Sequence, residues 1–558
     1  MQASPAKVIE YFNGEKQNLI PLFQRAYKWD EAKWRTLWED IMVQYGVADG
    51  STHFMGAIVS VPARSVPVGV SKYLIIDGQQ RLTTISLILC ALRDALDANT
   101  AARIQEVYLT NRFREPEDTL KFVPTQVDRE TYRSIAMDRV VPNNDSLMVQ
   151  AYCYFLNLLR NGKDDDNEAI DPAKLLIAVE QALQVVMINL GDNDDPYLIF
   201  ESLNFKGEPL SQADLVRNYM LMRFKHSIGS GGEQERVYAK YWSPLQSQLG
   251  DNLTEFLRRY LMKEGDDIRL GGIYAATKAR LKSLDSTEDV EHEFEGMRQF
   301  GDFYAAILDP SREHDEAVRY RLINIQELQV NTSHPLLLRL MMARHSANLA
   351  AADLAACLHT IEAFIVRRAV CGMPTNALNK IFLQLARQFP QSDHRVWLLG
   401  SLSSGGGGRR FPSDAEFADA FENQPQYGRS ATRFMLCSLE RNHEHKEPAS
   451  LEAATIEHIL PQTLTDSWRA TLGTNADEIQ QQHLHRMGNL TLTAYNTELG
   501  NRDFAEKKEM LKTTHFEMNR WILDQEIWNE GAIKNRAKFM LNSAISLWPG
   551  PAAAPAAS

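Results

Sequence analysis

Near the end of the sequence, an acidic residue and a histidine are followed by residues of the types that phosphodiester hydrolysis requires. Glu457 and His458 are followed by Pro461, then by Asn489 in a Gly-Asn-Leu segment, and then by Asn496. A histidine, whose pKa lies near neutral, can take a proton from water. Carboxylate and amide oxygens bind a hard divalent cation, which neutralises charge on a phosphate. These residue types therefore predict a metal-assisted site for cutting phosphodiester bonds.

The chemistry of each residue in this group indicates its role. We expect His458 to act as the base, and Glu457 and Asn496 to hold one Mg²⁺ or another divalent cation. Asn489 is expected to hold the His458 ring in its useful tautomer through a hydrogen bond. Because adjacent side chains of a strand face opposite sides, Glu457 and His458 can share a site only where the strand ends or bends. Pro461 indicates such an ending.

A second group of polar residues surrounds the start of a predicted helix in the first part of the chain. The segment 76–84 joins an apolar strand to this helix, and a loop that ends at a helix N-terminus presents free N–H groups to anions. Gly78 allows close approach of the backbone. The sequence has no P-loop motif, so a nucleotide site here has another design. The residues expected at the anion are Gly78, Gln79, Gln80, Arg81 and Arg25, while Asp77 can reach a metal or polarise a water in the same site.

Aromatic residues near the N-terminus allow two interpretations. Trp34 and Trp38 lie four residues apart on a predicted helix, so we assign their shared face to the core. Phe23, Tyr27 and Trp29 could instead stack on an extruded base or a nucleotide. For Tyr27 and Trp29 the sequence leaves both interpretations open.

Apolar patterns predict the elements that must position these groups. Short apolar runs at 54–61, 73–76 and 185–190 predict strands, and residues 84–96 have the apolar spacing of a helix. From residue 455 to residue 511 the pattern is strand, loop, strand and helix. Both groups of candidate residues therefore lie where a strand or loop meets another element.

With 558 residues, the chain is long enough for three domains. The first segment mixes strands and helices, whereas the middle is almost entirely helix-patterned. Arg367 and Arg368 in that middle segment either face DNA or lie along the surface as a snorkelling pair. The fold class is expected to be α+β and predominantly helical. The expected domains are 1–225, 235–400 and 425–548, with a disordered tail at 549–558.

Composition excludes several classes of protein. Hydrophobic residues make up 44% and charged residues 24% of the chain, which is typical of a globular protein and not of a disordered one. The formal charge of −12 argues against a protein that coats nucleic acid, although local basic sites remain compatible with it. No apolar run is long enough to span a bilayer. Five cysteines without a C-x-x-C pair favour the reducing cytoplasm.

The C-terminal segment resembles the HNH, or His-Me finger, nucleases with a ββα-metal core. The resemblance rests on E-H-I-x-P from Glu457, on G-N-L with Asn489, on Asn496, and on the two lysines Lys507 and Lys508. Glu457 departs from the pattern, since Asp or His is commoner there, and the zinc-knuckle cysteines are absent. The two lysines are expected to contact the phosphate backbone of DNA.

The N-terminal motifs resemble those of the GmrSD-type family of modification-dependent (type IV) restriction proteins. The resemblance rests on F-Q-R-x-Y-x-W, which includes Arg25, and on D-G-Q-Q-R-L-T-T from Asp77. It implies a ParB/sulfiredoxin-like N-terminal domain that binds and hydrolyses a nucleoside triphosphate, with Glu201 and Asn204 near the site. It further implies an HNH-type nuclease that cuts modified double-stranded phage DNA. The resemblance leaves a homo-oligomer open.

Two alternatives from other functional classes stay open at this point. One is a nucleotide-switched DNA-binding regulator with an inactive nuclease. The other is an effector of abortive infection that cleaves RNA, because the same nuclease core can accept RNA. DNA restriction is the first prediction, since both groups of motifs fit it together.

Overall fold

The chain forms two compact units. Met1–Ser247 with Gly271–Glu295 make up the first unit, and Gln248–Leu270 with Gly296–Ser558 make up the second. The structure is 62% helical and contains a mixed sheet, which confirms the predicted α+β, predominantly helical fold. The predicted division into three domains stays a prediction. The computed structural model describes residues 2–22, 24–47, 51–62, 69–190, 211–224, 232–284, 286–443 and 449–551, without the side chains of Asn496 and Thr497.

A mixed sheet of six described strands lies in the first unit. The strands are β1 (Gln2–Lys7), β2 (Lys16–Leu19), β3 (His53–Pro62), β4 (Ser71–Asp77), β5 (Phe122–Val123) and β6 (Leu183–Asn189). Their order across the sheet is β1-β6-β3-β4-β2-β5. β3 runs parallel to β6 and antiparallel to β4, whereas β2 runs parallel to both β4 and β5. The three strands predicted in this part of the chain are confirmed.

Helices make up most of the remaining described structure. Up to residue 308 they are α1 (Glu31–Met42), α2 (Gln79–Ala95), α3 (Ala98–Ile104), α4 (Gln126–Arg133), α5 (Leu147–Asn161), α6 (Pro172–Gln181), α7 (Gln212–Leu221), α8 (Glu233–Val237), α9 (Ser243–Leu249), α10 (Leu253–Met262), α11 (Ile273–Leu281) and α12 (Thr287–Leu308). Up to residue 441 they are α13 (Glu316–Glu327), α14 (His334–His345), α15 (Ala351–Val370), α16 (Leu378–Arg387), α17 (His394–Ser403), α18 (Asp414–Asn423) and α19 (Thr432–Arg441). Among the helices of the described ranges, none combines the length and the apolar character needed to cross a bilayer.

Helix α2 forms the centre of the first unit. Residues 82–93 are buried without interruption, as expected for a helix whose whole circumference is covered by other elements. Arg93 lies inside this core, where its guanidinium donates to the carbonyl oxygens of Ile135 and Ala136 and pairs with Asp94. This packing fixes the position of the N-terminus of α2, where the predicted anion-binding residues lie.

The N-terminal aromatic residues belong largely to the core. Trp34 and Trp38 are only 3% and 7% exposed, which confirms their assignment. Tyr27 is also buried, since its hydroxyl lies 2.7 Å from Thr84 Oγ1 and accepts a 2.8 Å hydrogen bond from Trp34 Nε1. Trp29 is partly buried against the same core. Burial therefore assigns Tyr27 to the core, while Phe23 lies outside the described residues.

The paired arginines of the second unit are internal rather than exposed to DNA. Arg367 Nε donates to the Trp548 carbonyl oxygen at 2.7 Å, and Arg368 Nη2 donates to the Pro374 carbonyl oxygen at 3.0 Å. Both arginines are buried, so neither of the two predicted interpretations is correct. Trp548 is fully buried, and its Nε1 donates to the Glu362 carboxylate. The chain is therefore held in the folded core as far as Trp548.

The last part of the second unit has the predicted order of strand, loop, strand and helix. β7 (Thr455–His458) pairs antiparallel with β8 (Leu490–Thr493). The loop between them contains α20 (Asp466–Leu472) and α21 (Ala476–His483). After β8 come α22 (Asn496–Leu499), α23 (Phe504–Leu511), α24 (Arg520–Leu523) and α25 (Glu530–Leu547).

A buried histidine makes the stability of the second unit sensitive to acid. His334 lies at the start of α14, where its ring meets Tyr304 edge-on with centroids 5.6 Å apart. Burial, and to a smaller extent Arg259, lowers the pKa of His334 to about 3. An unfolded histidine titrates near pH 6.5. The unfolded chain therefore takes up this proton first, and the free energy of unfolding falls as the pH drops from about 6.5 towards 3.

We predict that His334→Phe removes this contribution to the pH dependence. Between about pH 6 and pH 4, the free energy of unfolding of the unchanged protein should fall by about 1.4 kcal/mol per pH unit more than that of the variant. Urea unfolding at several pH values measures the difference. His314→Phe, at an exposed position of the same unit, should follow the unchanged protein. Identical slopes for all three proteins would contradict the assignment.

Candidate active site

Glu457 and His458 are the last two residues of β7, and their side chains point to opposite sides of the strand. Glu457 is opposite Thr491 and His458 is opposite Leu490 in the register. The two side chains are almost completely buried, at 5% and 4% exposure. The carboxylate meets α23, whereas the imidazole lies against two other rings. The two side chains thus leave the strand towards different neighbours, as the alternation of a strand dictates, while both residues line the one cavity at the end of the strand.

The His458 ring is enclosed by polar and aromatic partners. Its Nε2 lies 3.2 Å from His485 Nδ1, and its Nδ1 lies 3.4 Å from Gln462 Nε2. The Tyr427 ring meets it edge-on, with centroids 4.4 Å apart. Burial, and then the electrostatic influence of the neighbouring His485 and Lys507, lower the pKa of His458 to about 4. The ring is therefore neutral near pH 7, which is the state that accepts a proton.

A cavity of about 250 Å³ adjoins this histidine. It is large enough for several water molecules. Its wall combines an imidazole, a carboxylate, amides and a phenol. The lining residues include Tyr427, Glu457, His458, Gln462, Gly500 and Asn501.

Glu457 forms a buried ion pair with Lys507 of α23. Lys507 Nζ lies 2.6 Å from Glu457 Oε1 and donates to the His458 carbonyl oxygen at 2.7 Å. Burial raises the pKa of Glu457 and Lys507 lowers it, while burial lowers the pKa of Lys507. Because Lys507 is fully buried, the expected contact of Lys507 with the DNA backbone is wrong. Lys508 is half-buried and donates to the Gln525 carbonyl oxygen, and its contact with DNA stays a prediction.

Asn489 fixes the loop that follows β7 instead of orienting the His458 ring. Its Oδ1 accepts from Leu460 N at 2.7 Å and from Trp528 Nε1 at 3.0 Å. Its Nδ2 donates to the carbonyl oxygens of Leu460 and Leu484. Two accepted and two donated hydrogen bonds use the full capacity of an amide side chain. The expected contact with His458 is therefore wrong.

The predicted cation site is only partly described. Asn496 begins α22, but its side chain lies outside the description, so its role as a ligand stays a prediction. Among the described residues, there is no group of three or more His, Cys, Asp or Glu side chains that could hold a metal ion. Glu457 is the carboxylate at the cavity, and Lys507 engages one of its two oxygens.

Sequence reasoning missed three residues around His458. Tyr427, Gln462 and His485 carried no assignment. In the structure His485 is half-buried, and its ring stacks on Tyr427 with centroids 5.3 Å apart and an interplanar angle of 11°. The position of His485 in the chain is the signal that relates it to His458. His485 comes five residues before Leu490, which pairs with His458 in the β7–β8 register.

In the first unit, the residues after β4 form the start of α2, as the sequence predicted. Gly78 precedes the helix with φ of 91°, and a Cβ at this position would lie 2.9 Å from Ile58 Cγ1. Both facts require glycine here. Gly78 has no side chain that could cap this helix N-terminus, and the uncapped N–H groups of a helix start are those that bind anions.

Three charged residues of the predicted nucleotide site lie together beside this helix start. Burial raises the pKa of Asp77, whereas the Gly78 N–H, Arg81 and Arg25 lower it. Arg81 is half-buried and donates through Nη1 to the Ala57 carbonyl oxygen at 3.1 Å. The site thus contains one carboxylate that is within electrostatic range of two guanidinium groups.

The Gln80 side chain forms hydrogen bonds with the backbone of a neighbouring segment. Its Oε1 accepts from Lys28 N at 2.8 Å, and its Nε2 donates to the Ala26 carbonyl oxygen at 3.2 Å. These bonds attach residues 26–28 to α2, and the expected contact of Gln80 with a nucleotide stays a prediction. Gln79 is buried beside it. Glu201 and Asn204, the other two predicted residues, lie outside the described residues.

Comparison with protein families identifies both ends of the chain. The family model for the N-terminal domain of GmrSD restriction endonucleases matches residues 8–221, and the model for their C-terminal domain matches residues 411–543. No curated protein matches the chain. Restriction endonuclease domains cut DNA phosphodiester bonds in phage defence. The matched residues cover more than half of the sequence, and the chain belongs to the GmrSD restriction endonuclease family, of the type IV class.

Proposed function

We propose that the protein is an HNH-type, metal-dependent endonuclease that cuts modified phage DNA under the control of a nucleoside triphosphate. The observation that carries the proposal is the neutral imidazole of His458 at the wall of a cavity, on the strand that also carries Glu457. This strand lies within the part of the chain that matches the C-terminal restriction endonuclease domain.

The arrangement of elements supports a ββα-metal core. β7 and β8 form the two strands, and α23 packs behind them through the Lys507–Glu457 ion pair. The helix therefore has a direct polar connection to the strand that carries the proposed base. This is the order of elements that the sequence pattern predicted for an HNH-type nuclease.

The proposed reaction begins at the neutral His458 ring. A water molecule attacks the scissile phosphorus, and its proton passes to the unprotonated nitrogen of the imidazole. The bond from phosphorus to the leaving sugar oxygen then breaks, and that oxygen takes up a proton from solvent water. Enclosure of the ring by Tyr427 and His485 restricts its rotation, so the accepting nitrogen keeps a fixed direction. General base catalysis by a positioned histidine contributes about 100- to 10,000-fold to a rate.

The residues at the cavity fit a hard divalent cation such as Mg²⁺. Proteins often hold Mg²⁺ through one or two carboxylates, with water and substrate phosphates completing the shell. Glu457 would offer a carboxylate oxygen, and Asn496 is the second proposed ligand. When bound, the cation supplies positive charge that stabilises the charge developing on the phosphate.

The N-terminal unit supports a nucleotide site at the start of α2. The uncapped helix N-terminus can receive a phosphate, and Arg81 and Arg25 add positive charge beside it. Asp77 is the carboxylate that could polarise a water or hold a cation there. The mixed sheet around this helix supports the ParB-like fold that we propose for the unit.

The first experiment is cleavage of phage DNA by the purified full-length chain. Glucosylated, methylated, phosphorothioate and unmodified DNA are compared with Mg²⁺ or with a chelator, in the presence and absence of each nucleoside triphosphate. We expect metal-dependent cuts in one class of modified DNA. Binding without cleavage would instead support a regulator, and preferred cleavage of competing RNA would support an RNA-cleaving effector.

Within this assay we predict that His458→Ala lowers the cleavage rate at least about 100-fold, because the base is lost. His443→Ala, at an exposed position of the same unit, serves as the matched control and should cut at the unchanged rate. Circular dichroism verifies that both variants are folded. Full activity of a folded His458→Ala protein would rule out His458 as the base.

The buried ion pair allows a prediction for stability. Lys507→Met should lower the free energy of unfolding by about 3–5 kcal/mol, because Glu457 is left buried without its partner. Adding Glu457→Gln to the same chain should recover most of that loss. Lys512→Met, at a half-exposed position just after the same helix, should change stability by less than about 0.5 kcal/mol. Equal effects of Lys507→Met and Lys512→Met in urea unfolding would contradict the assigned pair.

For the nucleotide site, we predict that Arg81→Gln weakens binding of a nucleoside triphosphate at least about tenfold, because a charge-assisted phosphate contact is lost. Titration calorimetry with each of the four ribonucleoside triphosphates measures the affinity. Arg112→Gln, at an exposed position of the same unit, is the control and should bind normally. Unchanged binding by Arg81→Gln would place the nucleotide elsewhere.

A further inference from the structure

The imidazole of His485 contacts the Nε2 edge of His458, the proposed base. His485 Nδ1 lies 3.2 Å from His458 Nε2, and the two ring centroids are 5.2 Å apart at an interplanar angle of 71°. This distance fits an N–H···N hydrogen bond. A near-perpendicular pair of rings lets the N–H of one ring point at the lone pair of the other.

The partners of His458 determine which of its nitrogens carries the hydrogen. Gln462 Nε2, 3.4 Å from His458 Nδ1, is an amide nitrogen and can only donate. With the amide in this orientation, Nδ1 is the acceptor, and a neutral imidazole then carries its hydrogen on Nε2. Nε2 in turn donates to His485 Nδ1. The three side chains form one directed chain of hydrogen bonds that ends on His485.

His485 is itself held firmly from one side. Its carbonyl oxygen accepts from Gln426 N at 2.7 Å and from Tyr427 N at 3.2 Å. The Tyr427 ring stacks on the His485 ring and also meets the edge of His458. A single segment, residues 426–427, therefore fixes the backbone of His485 and covers both imidazoles.

We propose that His485 is a positioning residue, which accepts the Nε2 hydrogen of His458 and thereby keeps Nδ1, the nitrogen that contacts Gln462 at the cavity, as the accepting nitrogen. A water molecule that displaces the Gln462 amide can then pass its proton to Nδ1. The proposal rests on the proposed function, in which His458 is the base. It gives His485 the role that sequence reasoning assigned to Asn489, whose hydrogen bonds are all used elsewhere. Loss of such a supporting partner typically costs about 10- to 100-fold in activity.

Two substitutions of His485 distinguish the effect of its Nδ1 atom from the effect of its aromatic ring. His485→Phe keeps a flat ring against Tyr427 but removes Nδ1. His485→Asn removes the ring but keeps an amide group near the place of Nδ1, where its oxygen can accept. We expect His485→Phe to lower kcat for DNA cleavage about 10- to 100-fold with KM within about twofold, and His485→Asn to recover most of kcat.

The same two substitutions at the exposed His443 are the controls, and both should leave kcat and KM unchanged. Full kcat in His485→Phe would overturn the proposal, because the nitrogen would then be unnecessary. An equal loss of kcat in folded His485→Phe and His485→Asn proteins would also overturn it, since restoring an acceptor would then have no effect.

A spectroscopic measurement on the DNA-free protein tests the role of His485 independently of whether His458 is the base. Full-length chain labelled with ¹⁵N-histidine reports which nitrogen of each imidazole is protonated, and His458→Ala identifies the His458 signals. We expect the His458 hydrogen on Nε2 in the unchanged protein and a mixture of both tautomers in His485→Phe. A hydrogen on Nδ1, or no change in His485→Phe, would contradict the role of His485 whether or not His458 proves to be the base.

Discussion

The ammonium group of Lys507 is the contact on which the geometry of the catalytic region depends. It pairs with the Glu457 carboxylate and donates to the His458 carbonyl oxygen, so it ties α23 to both final residues of β7. All three groups are buried. Because a buried charge without its partner is strongly destabilising, the helix and the strand can hardly move apart. The direction in which the His458 ring leaves the strand follows from this connection.

Other buried polar groups fix the neighbouring strand in the same way. Arg536 of α25 is fully buried, and its guanidinium donates to the carbonyl oxygens of Gly488 and Leu490. Gly488 itself permits the close approach of this helix, since a Cβ there would lie 2.1 Å from the Ile533 carbonyl oxygen. Asn489 joins the loop after β7 to the turn before β8. The Gly-Asn segment is therefore explained by the packing of the strands and α25.

Elements that depend on patterns over a few residues were predictable from the sequence, whereas the tertiary contacts of a polar side chain were not. Alternating and helical spacing predicted β3, β4, α2 and the β7–β8 order correctly, since these elements depend on local periodicity. Lys507 was wrongly assigned to DNA because its partner Glu457 lies 50 residues away in the chain. Gln80 similarly reaches backbone atoms more than 50 residues distant. Charged and amide residues in a motif are therefore ambiguous until the tertiary contacts are known.

Chemical rescue tests the central claim, that the imidazole of His458 accepts the proton, most directly. His458→Gly leaves a space of the shape of the lost ring beside Tyr427 and His485. Free imidazole added to this variant is expected to restore metal-dependent DNA cleavage with a saturating dependence on imidazole concentration. Failure of imidazole to restore activity in a folded His458→Gly protein, or full activity without imidazole, would contradict the account.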